Sequence, residues 1–127
     1  MRVLTAEQGT PEWFAARCGV PSGSRFDAIM AQGKGGAPSA TRASYLADLV
    51  AETMSGTKTE FTVNAAMQHG IDTEPLARAA YESRTGEFVS QVGFCLHDYI
   101  NCGVSPDGLV GDFGLIEIKC PQPKTHI

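Results

Sequence analysis

The sequence predicts an α+β domain in which helices pack on a small mixed β-sheet. Three observations point there. Helical spacing and cap residues run through the first two-thirds of the chain, short β-rich runs follow Gly86, and there is no internal repeat or low-complexity tract.

Thr10-Pro11 ahead of EWFAARCG predicts a first helix with Thr10 as N-cap, Pro11 at the first helical position and Gly19 as the stop. Pro21-Ser22-Gly23-Ser24 reads as a turn. Ser24 is then expected to cap a short helix over RFDAIMAQ, with Asp27 three residues on, as in a capping box. GKGGAPSA, from Gly33 to Ala40, reads as a loop, and its Gly-Lys order does not fit a phosphate-binding P-loop. The run opening at Ser39 and closing on Gly56 places Leu46, Leu49, Val50, Thr53 and Met54 at helical spacing, which predicts that this stripe faces the core. A second long helix is expected from about Asn64 to Arg84, ending at Gly86. It carries Glu74/Arg78 and Arg78/Glu82 at i,i+4 spacing, and Pro75 marks either a kink or a fresh start. FVSQVGFCLH, NCGVSPDGLV and GLIEIKCP then supply the strands.

The 127 residues suit one domain, 1–127, with one core; a chain of this size buries roughly two-thirds of its unfolded surface. A hydrophobic fraction of 43% and a net charge of −4 exclude a disordered tail and advertise neither a nucleic-acid nor a membrane surface. No apolar run reaches the length of a membrane span, and the N-terminus lacks a signal-peptide pattern, so a cytoplasmic protein is expected. The cysteines at 18, 95, 102 and 120 form no CxxC pair and are expected as free thiols. Cys95, His97 and Cys102 raise a zinc question, but their spacing matches no usual ligand pattern and favours buried strand cysteines. The chain ends soon after a strand and a Pro-x-Pro turn, with nothing to cover one sheet face. A further C-terminal segment is expected.

The stretch SPDGLVGDFGLIEIKCP carries the chemistry. Alternation along a strand puts Glu117 and Lys119 on one face and Ile116 and Ile118 on the other, which is expected to be buried. If the flanking runs form a hairpin, Asp107 lies opposite Glu117 only where paired positions sum to 224. Val110 then opposes Gly114, and Gly111-Asp112-Phe113 is a three-residue loop with a glycine available for the left-handed position. Two carboxylates there suit Mg²⁺ or Mn²⁺, whose bound water attacks a phosphodiester, and an adjacent lysine can orient that water and offset transition-state charge. Read alone, the same residues are an exposed Glu-Lys pair and an ordinary turn.

The composite PD, spacer, E-x-K followed by Cys-Pro resembles the PD-(D/E)xK nuclease superfamily. More narrowly, the chain is similar to the lambda-exonuclease, or YqaJ-like viral recombinase, family. The resemblance runs from about Thr10 to Ile127 through ordered blocks: Trp13, Arg17, Gly19, Val20 and Ser24, then MQHGIDTEPLARAAYE, GFCLH, GVSPDGLV and GLIEIKCP. It implies a restriction-endonuclease-like core in which Asp107 and Glu117 hold the metal, the Ile118 carbonyl is a further ligand and Lys119 is the catalytic lysine. It also implies Glu74 as an additional acid and Arg17 and Ser24 as the holders of a 5′-terminal phosphate. From residue chemistry alone, Glu74 is as well explained as an ion-pair partner of Arg78, Ser24 as a helix cap and Arg17 as a solvated helix end.

The implied function is a Mg²⁺-dependent 5′→3′ exonuclease on double-stranded DNA ends, serving recombination by single-strand annealing. Trimers of the chain and an annealing protein are the implied partners. The family's usual C-terminal helix with a Gln and a Tyr is not present, and a net charge of −4 is poor for a DNA groove. A structure-specific or restriction-like endonuclease, a non-catalytic DNA-binding module and a zinc protein are the rival readings. Trp13 and Tyr81 read as packing residues, His69 as structural, and His97 and His126 carry no signal.

Overall fold

The computed structural model describes residues 1–58 and 63–122. The elements, in chain order, are β1 (Arg2–Leu4), α1 (Pro11–Arg17), α2 (Phe26–Met30), α3 (Ala40–Ser55), α4 (Ala65–Thr85), β2 (Val89–Ser90), β3 (Phe94–Leu96), β4 (Gly103–Val104), β5 (Gly108–Val110) and β6 (Gly114–Ile116). Short 3-10 turns at Gly23–Arg25 and Lys34–Gly36 precede α2 and α3. The α+β class is as expected. Pro123, which completes the expected Pro-x-Pro turn, and the chain end with His126 lie outside the described residues.

Local chemistry sets the helix ends. Thr10, Ser39 and Asn64 cap α1, α3 and α4, their side chains accepting from the backbone N–H of Trp13, Arg42 and Met67 respectively. Gly56 and Gly86 close α3 and α4 in the left-handed conformation. Pro75 lies inside α4, which runs through it without a break, so it marks no fresh start. The expected cap of α2 is not made. Ser24 sits inside the 3-10 turn, Arg25 occupies the cap position without a side-chain bond, and the Ser24 hydroxyl instead meets that of Ser22 at 2.9 Å. α2 also stops at Met30, short of the expected Gln32.

The chain forms two compact units, Met1–Thr59 with Val92–Ser105, and Glu60–Gln91 with Pro106–Ile127. In the first, α2 and α3 pack through Ala28, Tyr45 and Leu49, with Ile29 alongside. Its sheet has the order β1-β3-β4, antiparallel throughout, with Val3 opposite Cys95 and Cys95 opposite Val104. Phe94 is fully buried, and its ring lies 2.4 Å from where a Cβ on Gly103 would stand, so this strand position admits only glycine without movement. The sole parallel pairing among the described residues is the bridge Ser22–Gly103, so the expected mixed sheet is two antiparallel ones. Only β3–β4 and β5–β6 are joined by short connections, which oblige those pairs to be antiparallel, since parallel pairs need long crossovers.

The α3 stripe is a second difference. Tyr45, Leu49 and Glu52 are buried, whereas Leu46, Val50 and Met54 are 61%, 50% and 83% exposed. Tyr45 and Glu52 bury because their polar ends find partners in the loop after α1, as described below.

In the second unit the sheet order is β2-β5-β6, again antiparallel. Val89 is buried beneath Gly108, and the Val89 N–H donates to the Glu82 carboxylate of α4 at 2.8 Å. Glu82 therefore serves the backbone, not the expected pair with Arg78. The β5–β6 register is Gly108–Ile116, Leu109–Leu115 and Val110–Gly114, as expected, with every pair summing to 224. Gly111 takes φ +56° in the three-residue loop, a conformation that favours glycine.

Candidate functional site

Asp107 precedes β5 and Glu117 follows β6, so both stand at the open end of the hairpin that the Gly111-Asp112-Phe113 loop closes. The β5–β6 ladder stops at Gly108–Ile116, and beyond it Asp107 is tied across by its side chain: the Ile118 N–H donates to the carboxylate. That bond replaces a ladder pair and fixes the carboxylate where the strands part. Glu117 and Lys119 lie past the end of β6, yet their side chains are neighbours and form an ion pair. The Ile116 and Ile118 side of this segment is half-buried, not fully buried as expected, because only a short strand supports it.

Glu74 projects from the middle of α4 and pairs with Arg78 one turn on. Arg78 is itself buried. Its terminal nitrogens donate to the Gln91 amide oxygen at 3.0 and 3.2 Å, with that amide oriented by the hydrogen-bond network. Burial and then the nearby charge of Asp107 hold the Glu74 carboxyl above its ordinary range; Arg78 pulls the other way, and Glu117 adds a smaller push. The three acids thus share one electrostatic neighbourhood. Lys119 is held above its ordinary range, first by its hydrogen bond to Glu117, and so stands as a cation.

Among the described residues no three acidic, histidine or cysteine side chains converge closely enough to clasp an ion as they stand. Each acid is instead compensated locally, Asp107 by the Ile118 N–H, Glu117 by Lys119 and Glu74 by Arg78. The donors fit a hard divalent cation in chemistry, since three carboxylates offer only oxygen and two of them raise the proton affinity of the third.

Arg17 and Ser24 belong to the first unit. Arg17 is not a solvated helix end. Its guanidinium lies 4.0 Å over the Trp13 ring and 5.8 Å from that of Phe94, and its Nε is buried with no hydrogen-bond partner. Burial weakens its hold on the proton, and the charge of Glu52 is among the groups that restore it. Ser24 is exposed, its hydroxyl held by the buried Ser22. Trp13 is buried as expected, and its indole N–H donates to the Gly93 carbonyl at 3.0 Å and the Ser105 hydroxyl at 3.1 Å.

The zinc reading gains nothing. All four cysteines are free, Cys95 is a buried strand residue, and His97 Nδ1 accepts from the Tyr99 and Ile100 N–H groups. Tyr81 and His69 are half-buried on α4. Sequence reasoning missed Tyr45, Glu52 and Ser22 as supports of the Arg17 region. The i, i+4, i+7 spacing of Tyr45, Leu49 and Glu52 was the available signal.

The family described as the YqaJ-like viral recombinase domain matches residues 12–127. Among solved structures, the alkaline exonuclease LHK-Exo from Laribacter hongkongensis superposes with TM-score 0.78 at 48% identity, covering 92% of this chain and 56% of that one. LHK-Exo in complex with dAMP gives TM-score 0.80 at the same 48% identity and the same coverage, 92% and 56%. The chain thus spans little over half the length of these proteins. No curated protein matches it.

Proposed function

Because this chain belongs to the YqaJ-like viral recombinase family, we propose that it is the catalytic part of a metal-dependent exonuclease that degrades double-stranded DNA from 5′ ends. The observation that carries the reading is the meeting of Asp107, Glu117 and Lys119 at the open end of one hairpin, with Glu74 inside the field of both acids. Asp107, Glu117, Glu74 and the Ile118 carbonyl would hold Mg²⁺ or Mn²⁺. When bound, such an ion polarises the scissile phosphate and acidifies a water.

The remaining chemistry belongs to the chain. Lys119, already a cation beside Glu117, offsets the charge that builds on the phosphoryl oxygens. Arg78 and Gln91 keep the Glu74 side chain aimed from α4. Arg17 supplies the 5′-phosphate subsite: a guanidinium sheltered by Trp13 and Phe94, with a buried nitrogen lacking a partner, suits a phosphate oxygen. Ser24 offers an exposed hydroxyl to the same phosphate. The polarity of digestion rests on these two residues, and PD-(D/E)xK chemistry on the first four. A role in recombination by single-strand annealing, a trimeric ring, an annealing-protein partner and a cytoplasmic setting complete the proposal by resemblance to the family.

The deciding experiment digests linear duplex DNA bearing a 5′-phosphate or a 5′-hydroxyl, with Mg²⁺ or with EDTA. Progressive, metal-dependent loss of the phosphorylated strand is expected. Internal cuts would make the protein an endonuclease, and no cleavage a binding module. Lys119→Ala is expected to keep DNA binding and lose about 10²–10³-fold in turnover; unchanged turnover would remove the lysine from the chemistry.

A further inference from the structure

We infer that Tyr45 and Glu52, on the buried face of α3, are positioning residues that hold the loop bearing Arg17 and Ser24 as a preformed phosphate subsite. The inference rests on the 5′-phosphate reading of those two residues given above.

The loop between α1 and α2 has little regular structure of its own, so its shape must come from outside. α3 grips it at three points: Glu52 Oε2 accepts from the Gly19 N–H at 3.0 Å, the Glu52 carbonyl accepts from Cys18 Sγ at 3.2 Å, and Tyr45 Oη accepts from the Ser22 N–H at 3.1 Å. Ser22 passes the constraint on, since its hydroxyl lies 2.9 Å from that of Ser24. Its backbone is pinned on the other side by the bridge to Gly103, where the Gly103 N–H donates to the Pro21 carbonyl at 3.0 Å. Arg25, next in the chain, lies 4.5 Å over the Tyr45 ring, which brings a second cation to the same loop.

Glu52 solves an electrostatic problem as well. A half-buried guanidinium costs free energy unless a counter-charge is near, but a direct ion pair would occupy the fork that must bind phosphate. Glu52 makes no ion pair with Arg17. Both its oxygens take the Lys58 ammonium, at 2.8 and 2.7 Å, so the carboxylate lends Arg17 a compensating field while Lys58 screens it from an incoming anion.

The test measures binding of a short duplex with a 5′-phosphate or a 5′-hydroxyl in EDTA, where no cleavage occurs, and then KM and kcat on both ends in Mg²⁺. Tyr45→Phe keeps the ring beneath Arg25 and removes the acceptor for the Ser22 N–H. It is expected to lower the phosphate-to-hydroxyl affinity ratio about tenfold, the scale of one buried donor left unpaired. KM should rise on phosphorylated ends only, with kcat and hydroxyl-ended KM unchanged. Glu52→Gln, which keeps an acceptor for Gly19 but drops the charge, should lower the same ratio. Thermal melts of both variants report folding. An unchanged ratio in both variants, or an equal loss on both kinds of end, overturns the inference while leaving Arg17 in place. If Arg17→Ala itself leaves the ratio unchanged, the phosphate reading falls and this inference with it.

Discussion

Gly103 shows how one missing side chain serves two contacts. Its Cβ position is filled by the Phe94 ring at 2.4 Å and lies 2.8 Å from the Cys95 carbonyl, and its N–H donates to Pro21. Gly103→Ala is expected to destabilise the protein by about 1–3 kcal/mol, the usual penalty of overpacking, as a lower denaturant midpoint would show. Cys95, directly after the fully buried Phe94, gives a pH signature. Burial holds its thiol above the ordinary range, so the folded state keeps a proton that the unfolded chain has already lost. This contribution is whole below about pH 8.5, the unfolded thiol value, and is lost as pH rises through the folded one. Cys95→Ser should flatten the alkaline limb of the stability profile measured by denaturant titration, and an unaltered limb would count against the assignment.

The β5–β6 hairpin sets the geometry of the acids by its loop length. Deleting Asp112 shortens the loop by one residue and shifts the register, which moves Asp107 and Glu117 to opposite faces. Calorimetry with Mn²⁺ is expected to show loss of binding in that variant and retention in one with two residues added to the loop. The expected register held because it follows from parity and from the loop glycine, both written in adjacent residues. The cap at Thr10 and the helix starts at Ser39 and Asn64 were legible for the same reason, while the capping bonds of the last two came only with the structure. What escaped depended on distant partners. β1 forms because Val3 meets Cys95, and nothing in RVL announces that pairing. The α3 face turned on whether Tyr45 and Glu52 could find donors in the Cys18–Ser22 loop, and they outcompeted a more apolar stripe. Ser24 looked like a cap because a 3-10 turn cannot be told from a helix start by one serine.

At the scale of the molecule, the net charge of −4 is concentrated where it matters by the acids of the second unit. A divalent cation bound only by the folded state stabilises it by mass action, about 1.4 kcal/mol at ten times the dissociation constant. Mg²⁺ is therefore expected to raise the melting temperature, EDTA to reverse the rise, and Asp107→Ala to abolish it; a rise that survives in Asp107→Ala would place the ion elsewhere. Each compact unit is also made of two separate stretches of chain, so that the polypeptide alternates between them. In a chain made from its N-terminus, the sheet of the first unit is complete only once β4 has been added, and the second unit awaits the residues after Pro106. No continuous fragment contains either unit without part of the other. Cutting either unit out as one continuous piece therefore removes part of the other.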